Sequence, residues 1–424
     1  MKKIRLSLLL TLANLSVILS QTPQQELFDT PEKTAGVHYA YPDKDIVAYT
    51  KVPKGYEAFY ISHFGRHGSR YLINDAEYKD VINLFEDANK SGALSDLGKD
   101  ALKRLQQLWT EVEFRGGELS PLGQREQRGI AERMYNHYPK VFTKDAQIEA
   151  NATTVLRVVL SMDAFCERIK EFNPNLQISR NAGIKWQQYL NYHTKEAIAF
   201  RSAKDTWKEE FLKFETKHTN PDRLINSLFS DNDYIIKKVN PDDLMKKLFA
   251  IAGGMQNTET KLSFYDLFEK QELFDLWQTN NYRLYVNDAN SALNNGIMFE
   301  NQKPTLKNIL ENANKIIASK GKGATLRFAH DGNIIPLAML LHLDGSYNSV
   351  ADPNKFYEAW SSFKVAPMAG NIQIVFFRKP KSDDVLVKFL LHEKEILVPT
   401  IQTDKAPYYH WKDVKAYYNS LLSS

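Results

Sequence analysis

The sequence predicts an α/β protein: a mixed sheet flanked by helices, with a second, mostly helical domain inserted into it. Three observations carry this. Short β-rich apolar runs alternate with helix-period segments between Ala58 and Ile169. From Ile184 to Gln302 the pattern changes to amphipathic helices rich in Lys, Glu, Phe and Tyr, with few strand-like runs. Strand signals then return between Ala324 and Leu391. The expected division is residues 45–183 and 303–424 for an α/β core and 184–302 for the insertion, after a leading segment, 1–20, of another kind.

That leading segment places Lys2, Lys3 and Arg5 before an apolar stretch from Leu6 to Leu19, followed by Ser20-Gln21. This is the pattern of a cleavable secretory signal peptide. The stretch is short for a membrane span and no later run approaches it, so no membrane anchor is expected. No cysteine sits near the expected cleavage point, which argues against a lipid anchor. The expected location is the periplasm or the exterior. Removing residues 1–20 takes away three basic and no acidic residues, leaving 52 Lys and Arg against 51 Asp and Glu. Such a balance gives no general attraction to nucleic acid or an anionic membrane, so basic character must be local to a site. The 43% hydrophobic content supports a substantial core. With Cys166 alone, no intramolecular disulfide can form; its helical apolar surroundings make it a buried structural thiol.

In order, residues 21 to about 45 read as a polar, proline-containing lead-in. Ala58 to Ser62 is the first strand, and helical patterns follow over Ala76–Ala88 and Leu97–Glu113. Gly116-Gly117-Glu118-Leu119-Ser120-Pro121-Leu122-Gly123 is a loop that opens a third helix, running to about His137. Gln147 to Ala150 is a second strand, after which Thr153 or Thr154 is expected to cap a helix whose apolar positions run from Val155 to Ile169. After the insertion, strands are expected at Ala324–Phe328, Asn371–Arg378 and Val385–Leu391, the last two as a hairpin around Lys379-Pro380-Lys381-Ser382.

Two strand-to-turn motifs carry chemistry. Arg66-His67-Gly68-Ser69-Arg70 follows the first strand and sets a histidine between two arginines. A neutral imidazole can attack phosphorus while flanking guanidiniums hold non-bridging oxygens in charge-assisted forks. Gly68 lets the backbone turn tightly beside an anion. His330-Asp331-Gly332-Asn333 follows the strand at Ala324–Phe328 and precedes an apolar helix from Ile334 to Leu341. If the two strands are sheet neighbours, both motifs emerge at one edge. Asp331, held protonated by its surroundings, could then give a leaving oxygen its proton, and as a carboxylate activate a water. Taken alone, His330-Asp331 reads as a strand-end turn with Asp331 as helix N-cap; it is the first motif that turns the reading toward chemistry. His63 reads as a packing or supporting histidine. No histidine pair has metal-ligand spacing, so neither a metal nor a cofactor is expected.

These residues resemble the histidine acid phosphatases, branch 2 of the histidine phosphatase superfamily, which includes phytases and multiple inositol polyphosphate phosphatases. The likeness spans most of the mature chain and rests on Arg66-His67-Gly68-Ser69-Arg70 and His330-Asp331. It implies a covalent phosphohistidine at His67, with Arg66, Arg70 and His330 binding the phosphate. A third family element, an arginine at a helix start, matches Arg157 within Ala152-Thr153-Thr154-Val155-Leu156-Arg157; Ala152 and Thr154 depart from the family's usual Ser and Asp. Gly117 to Gly129 resembles the family's Gly-Glu-Leu-Thr helix start. Leu72 stands where the family often has proline, and Asp331-Gly332 replaces the Ala-Glu of the inositol polyphosphate subgroup.

The expectation is an exported phosphomonoesterase with an acidic optimum, acting on a small-molecule phosphate ester such as phytate and binding no nucleic acid. The alternatives are a general acid phosphatase for sugar or aryl phosphates, a phosphomutase, and a non-catalytic phosphate or polyanion binder.

Overall fold

The computed structural model describes residues 22–45 and 48–423; the expected signal segment 1–20 lies outside the described residues. The chain opens with α1 (Pro23–Asp29) and a run of 3₁₀ turns over Pro31–His38, then enters β1 (Glu57–Arg66). α2 (Ala76–Lys90), α3 (Asp96–Val112) and α4 (Pro121–His137) lead to β2 (Gln147–Ala152), α5 (Leu156–Phe172) and β3 (Ile178–Ala182). Nine helices follow: α6 (Ile184–Leu190), α7 (Lys195–Ser202), α8 (Lys208–His218), α9 (Asp222–Leu228), α10 (Asn232–Lys238), α11 (Pro241–Gly254), α12 (Lys270–Asp288), α13 (Ile297–Glu300) and α14 (Lys303–Ala318). The chain then returns to the sheet with β4 (Gly323–Ala329), α15 (Asp331–Leu340), α16 (Phe356–Ala359), α17 (Ser362–Val365), β5 (Asn371–Arg378), β6 (Val385–Leu391), β7 (Lys394–Ile396), β8 (Tyr408–His410) and α18 (Trp411–Ser423).

The sheet order is β3-β2-β4-β1-β5-β6-β7, with β8 pairing β6. β3, β2, β4 and β1 run parallel, and β5 reverses direction, so the sheet is mixed as expected. Its central strands are buried on both faces: all of β4 and all but the first two residues of β1. That two-sided burial is why they read as nearly continuous apolar runs. One face packs under α14, α15 and α18, the other under α4 and α5. A further apolar cluster joins α2 and α3 to α9, α11 and α12. α12 is buried around most of its circumference, from Leu273 to Asp288, and runs through this helical layer toward the sheet.

Several details differ from the sequence reading. β1 extends to Arg66 because β4 pairs with it from Tyr60 to Arg66 and β5 from Glu57 to Gly65. β3, β7 and β8 were not expected; β3 is half exposed at the sheet edge, and β7 and β8 are three residues each. Neither Thr153 nor Thr154 caps α5, whose N-cap is Val155 without a side-chain bond. Their hydroxyls are engaged elsewhere, Thr153 with His330 and Thr154 with Gln187. The lead-in is no loose tether: Leu27, Val37 and Tyr41 are buried. Among the described residues, no helix is long and apolar enough to cross a membrane.

Gly68 and Gly123 are required by close backbone approach. A Cβ on Gly68 would stand 2.3 Å from the Gly123 carbonyl oxygen, and one on Gly123 2.2 Å from that of Ser69. Gly123→Ala is therefore expected to cost about 1–3 kcal/mol through overpacking, read as a lower denaturant midpoint at unchanged slope. Gly332→Ala, whose Cβ would meet nothing nearer than 3.7 Å, should stay within about 0.5 kcal/mol of the parent.

Candidate active site

Both motifs emerge where the sequence reading placed them, at the carboxyl ends of adjacent parallel strands. Arg66 of β1 lies opposite Ala329 of β4. The ladder continues past the strand end: the Arg66 N–H donates to the Gly370 carbonyl (2.8 Å), the His67 N–H to that of Ala329 (3.1 Å), and the Ala369 N–H to that of His67 (2.9 Å). Beyond it, the Gly68 N–H donates to Ser161 Oγ (3.1 Å), one turn into α5. The Ser120 N–H and hydroxyl both donate to the Ser69 carbonyl, at 2.9 and 3.1 Å. Ser120 also caps α4, accepting from the Gly123 N–H. The loop opening α4 is thus a clamp on the first motif.

His67 is buried, and its Nδ1 lies 2.8 Å from the Gly68 carbonyl oxygen. A carbonyl only accepts, so Nδ1 must carry the proton and Nε2 keeps its lone pair. Burial, then Arg66, Arg157 and Arg70, hold the imidazole well below the usual histidine range, outweighing the Gly68 bond. That shift favours the neutral imidazole, the form with a lone pair on Nε2.

Three guanidiniums surround it. Arg66 is fully buried; its Nη1 donates to the carbonyls of Val37 and Ala366, and its Nη2 lies 3.4 Å from Asp331 Oδ2. Arg70 Nη1 donates to the Tyr71 carbonyl (2.8 Å) and Nη2 to His38 Nε2 (3.1 Å). Arg157 stands in the first turn of α5, with Nη1 near Gly117. The buried Nε of Arg66, Arg70 and Arg157, and Nη2 of Arg66, lack hydrogen-bond partners. Unsatisfied buried cationic donors converging on one neutral imidazole make a site for an oxyanion.

The His330 ring lies 5.8 Å from that of His67, edge to face, and its Nε2 shares a 3.2 Å hydrogen bond with Thr153. Burial, with the arginines behind it, lowers His330 to about 4. His330 is the N-cap of α15 and Asp331 its first residue, so Asp331 caps nothing and faces Arg66 instead. Here the expectation of a protonated Asp331 fails. Burial pushes its carboxyl up, but Arg66, His67, Arg70 and His330 overcome that and hold it well below the usual carboxylate range. In the substrate-free site it is a carboxylate. A bound phosphate would offset the arginines and let it take up a proton.

Residues without a local sequence signal complete the site. His38, from the lead-in, accepts from Arg70 and is lowered to about 3 by burial and by Arg70 and Arg66. It also lines a cavity of about 230 Å³ together with Lys246, Phe249, Leu276, Asn280 and Arg283. Glu126 of α4 accepts from the Ser69 N–H (2.7 Å) and the Tyr41 N–H (2.9 Å), fixing the motif from beneath. Burial raises its carboxyl. His63 packs between Phe165 and Phe328 with neither ring nitrogen hydrogen-bonded, the packing role expected of it. Cys166 is buried, its thiol pushed up to about 12 by burial.

A family model described as histidine phosphatase superfamily (branch 2) matches residues 64–392. No curated protein sequence matches the chain. Among solved structures, a multiple inositol polyphosphate phosphatase from Bifidobacterium longum, in complex with inositol hexasulfate, is similar with a TM-score of 0.77 at 18% identity, covering 91% of this chain and 97% of its own. The phytase from D. castellii gives 0.70 at 14% identity, covering 97% and 89%. The apo phytase from Hafnia alvei gives 0.52 at 11%, covering 88% and 98%. At these identities the likeness is one of fold.

The buried histidines set a pH dependence of stability. His38 and His63 are lowered to about 3 and His330 and His392 to about 4, against 6.5 for a free histidine, with burial the largest cause in each. The unfolded chain therefore binds protons that the folded chain refuses. Stability is full above about pH 6.5 and is lost as pH falls toward those folded values, at about 1.4 kcal/mol per pH unit for each group at most. The melting temperature should drop steadily between pH 7 and 4, and inorganic phosphate should restore part of it. A flat profile would contradict this electrostatic picture.

Proposed function

Because the chain belongs to branch 2 of the histidine phosphatase superfamily, we propose that it is an exported phosphomonoesterase working through a phosphohistidine at His67. One observation carries this reading: an imidazole fixed in a single tautomer with Nε2 free, ringed by arginines with unpartnered buried donors. The arginines and His330 hold the phosphoryl oxygens while His67 Nε2 attacks phosphorus and the P–O bond to the leaving group breaks. Asp331, protonated once the substrate's charge offsets Arg66 and Arg70, gives its proton to the departing oxygen. As a carboxylate again, it takes a proton from the water that cleaves the P–N bond, releasing phosphate and restoring neutral His67.

Inositol polyphosphates such as phytate are the proposed substrates, supported by the Bifidobacterium longum enzyme and the D. castellii phytase as structural neighbours. A second reading, favouring sugar or aryl phosphates, rests on charge. Lys246 in the adjoining cavity pairs with Glu215 at 2.9 Å, so an acid offsets a cation that a polyphosphate would need.

Phosphate release from phytate and from p-nitrophenyl phosphate near pH 5, with a chelator present, tests both readings. Wild type should turn over and His67→Ala should lose at least about a thousandfold; wild type stopped with alkali should carry phosphate that survives base and is released by acid. Asp331→Asn should lose about 10²- to 10⁴-fold on phytate and less on the aryl ester, whose leaving group needs no proton. Retained activity in His67→Ala would refute the mechanism. Phosphate binding without turnover in wild type would instead establish a binding protein, and the ratio of the two substrates decides between phytase and general phosphatase.

A further inference from the structure

The phosphate site borrows a side chain from a segment ahead of residues 64–392, the stretch that matches the family. Residues 37–41 lie against the first motif as a strap, and each backbone position in it is held. Arg66 Nη1 donates to the Val37 carbonyl, Asn257 Nδ2 to the His38 carbonyl (2.9 Å) and the Met368 N–H to the Tyr39 carbonyl (2.8 Å). The Ala40 N–H donates to Gln256 Oε1 (3.0 Å) and the Tyr41 N–H to Glu126 Oε1 (2.9 Å). Asn257 and Glu126 also accept from Ser69, the residue before Arg70, at 2.8 and 2.7 Å. Strap and motif therefore share their anchors.

The side chain placed by these bonds is His38. Its Nε2 lies 3.1 Å from Arg70 Nη2. A guanidinium only donates, so Nε2 accepts and Nδ1 carries the ring proton. Arg70 Nη1 is spent on the Tyr71 carbonyl at 2.8 Å. A planar fork tied at both ends to different segments is held in one orientation, which directs its remaining N–H groups, the unpartnered Nε among them. With the His38 tie gone, the fork keeps one anchor and turns about it. The tie requires a neutral imidazole. Burial, Arg70, Arg66 and Arg283 favour that form, against Asp331.

We propose that His38 is a positioning residue that fixes Arg70 for the phosphoryl oxygens, an inference that rests on the phosphate site of the reading above. Its effect reaches the substrate through Arg70. By this contact the segment ahead of the first strand becomes part of the phosphate site.

The test measures inorganic phosphate binding by calorimetry, and kcat and KM on p-nitrophenyl phosphate near pH 5. The proteins are wild type, His38→Phe, His38→Gln, Arg70→Ala and the double variant His38→Phe with Arg70→Ala. Phenylalanine fills the space of the ring without an acceptor, whereas glutamine offers Oε1 close to the position of Nε2. His38→Phe should weaken phosphate binding about 3- to 30-fold. It should lower kcat/KM by at least as much, since a misdirected donor costs more in the transition state than in the ground state. His38→Gln should recover most of both. In the Arg70→Ala background His38→Phe should cost nothing further, because the group it positions is gone. Equal losses with and without Arg70, or a glutamine variant as impaired as phenylalanine, overturn the assignment. Nitrogen NMR of wild type at the same pH gives an answer that needs no variant: Nδ1 protonated and Nε2 bare supports the role of His38, and a cationic ring overturns it. Wild-type turnover with phosphate binding unchanged in His38→Phe would overturn this inference alone. Phosphate binding weakened as expected, in a wild type that turns over no ester, would uphold the role of His38 and overturn the phosphatase reading.

Discussion

Everything in the site hangs on the parallel pairing of β1 with β4 and the antiparallel pairing of β1 with β5. In that register the last residue of β1 meets the last residue of β4, and the backbone of His67 is hydrogen-bonded on both sides by Ala329 and Ala369. The imidazole sits on the rim of the stiffest part of the molecule. A one-residue slip of β1 would turn Phe64 and Arg66 to the wrong faces and move the histidine out of reach of His330. Two glycines pressed together below the loop, with Ser120 and Glu126, remove the remaining freedom. Preorganisation of this kind lets fixed dipoles and charges act on a reacting group without rearranging.

The second theme is an excess of positive charge. Burial lowers all three arginines first; Arg66 then depresses Arg70 and Arg157, Arg157 depresses Arg70, and all three depress the histidines between them. Unliganded, the site stores repulsion that an oxyanion relieves. The same field favours the neutral form of His67 and the ionised form of Asp331. His67 and Asp331 therefore both respond to the charge of a bound anion, because the same arginines act on each.

Much of this was legible in the chain. The central strands announce themselves because burial on both faces demands apolar β-formers, and the hairpin of β5 and β6 falls at Asn371–Arg378 and Val385–Leu391 as the sequence reading placed it. Arg66, His67, Arg70, His330 and Asp331 are visible because each motif is contiguous at a strand end. Arg157 was reached only through a family resemblance, since one arginine in a helix carries no signal by itself. His38 and Glu126 were missed for the same reason: each is a lone residue brought in by tertiary packing from a segment whose local pattern serves other ends. Thr153 misled because the local rule for helix caps competes with a partner, His330, 177 residues away in sequence. The protonation of Asp331 misled because burial is opposed there by Arg66 and Arg70, which tertiary packing brings in from a segment far away in sequence.

Arg66 Nη1 ties together the carbonyls of Val37 and Ala366, which are separated by most of the polypeptide. The contact to Ala366 spans 300 residues, and loop-closure entropy delays such contacts until the intervening segments have settled. A chain emerging from a ribosome or a translocation pore holds the Val37 end long before the Ala366 end exists. The arginine pocket is consequently a late product of folding, and a partly folded molecule has no competent site. Catalytic competence here doubles as a checkpoint: recovery of turnover after denaturation reports completion of the whole chain, while spectroscopic recovery of helix can run ahead of it.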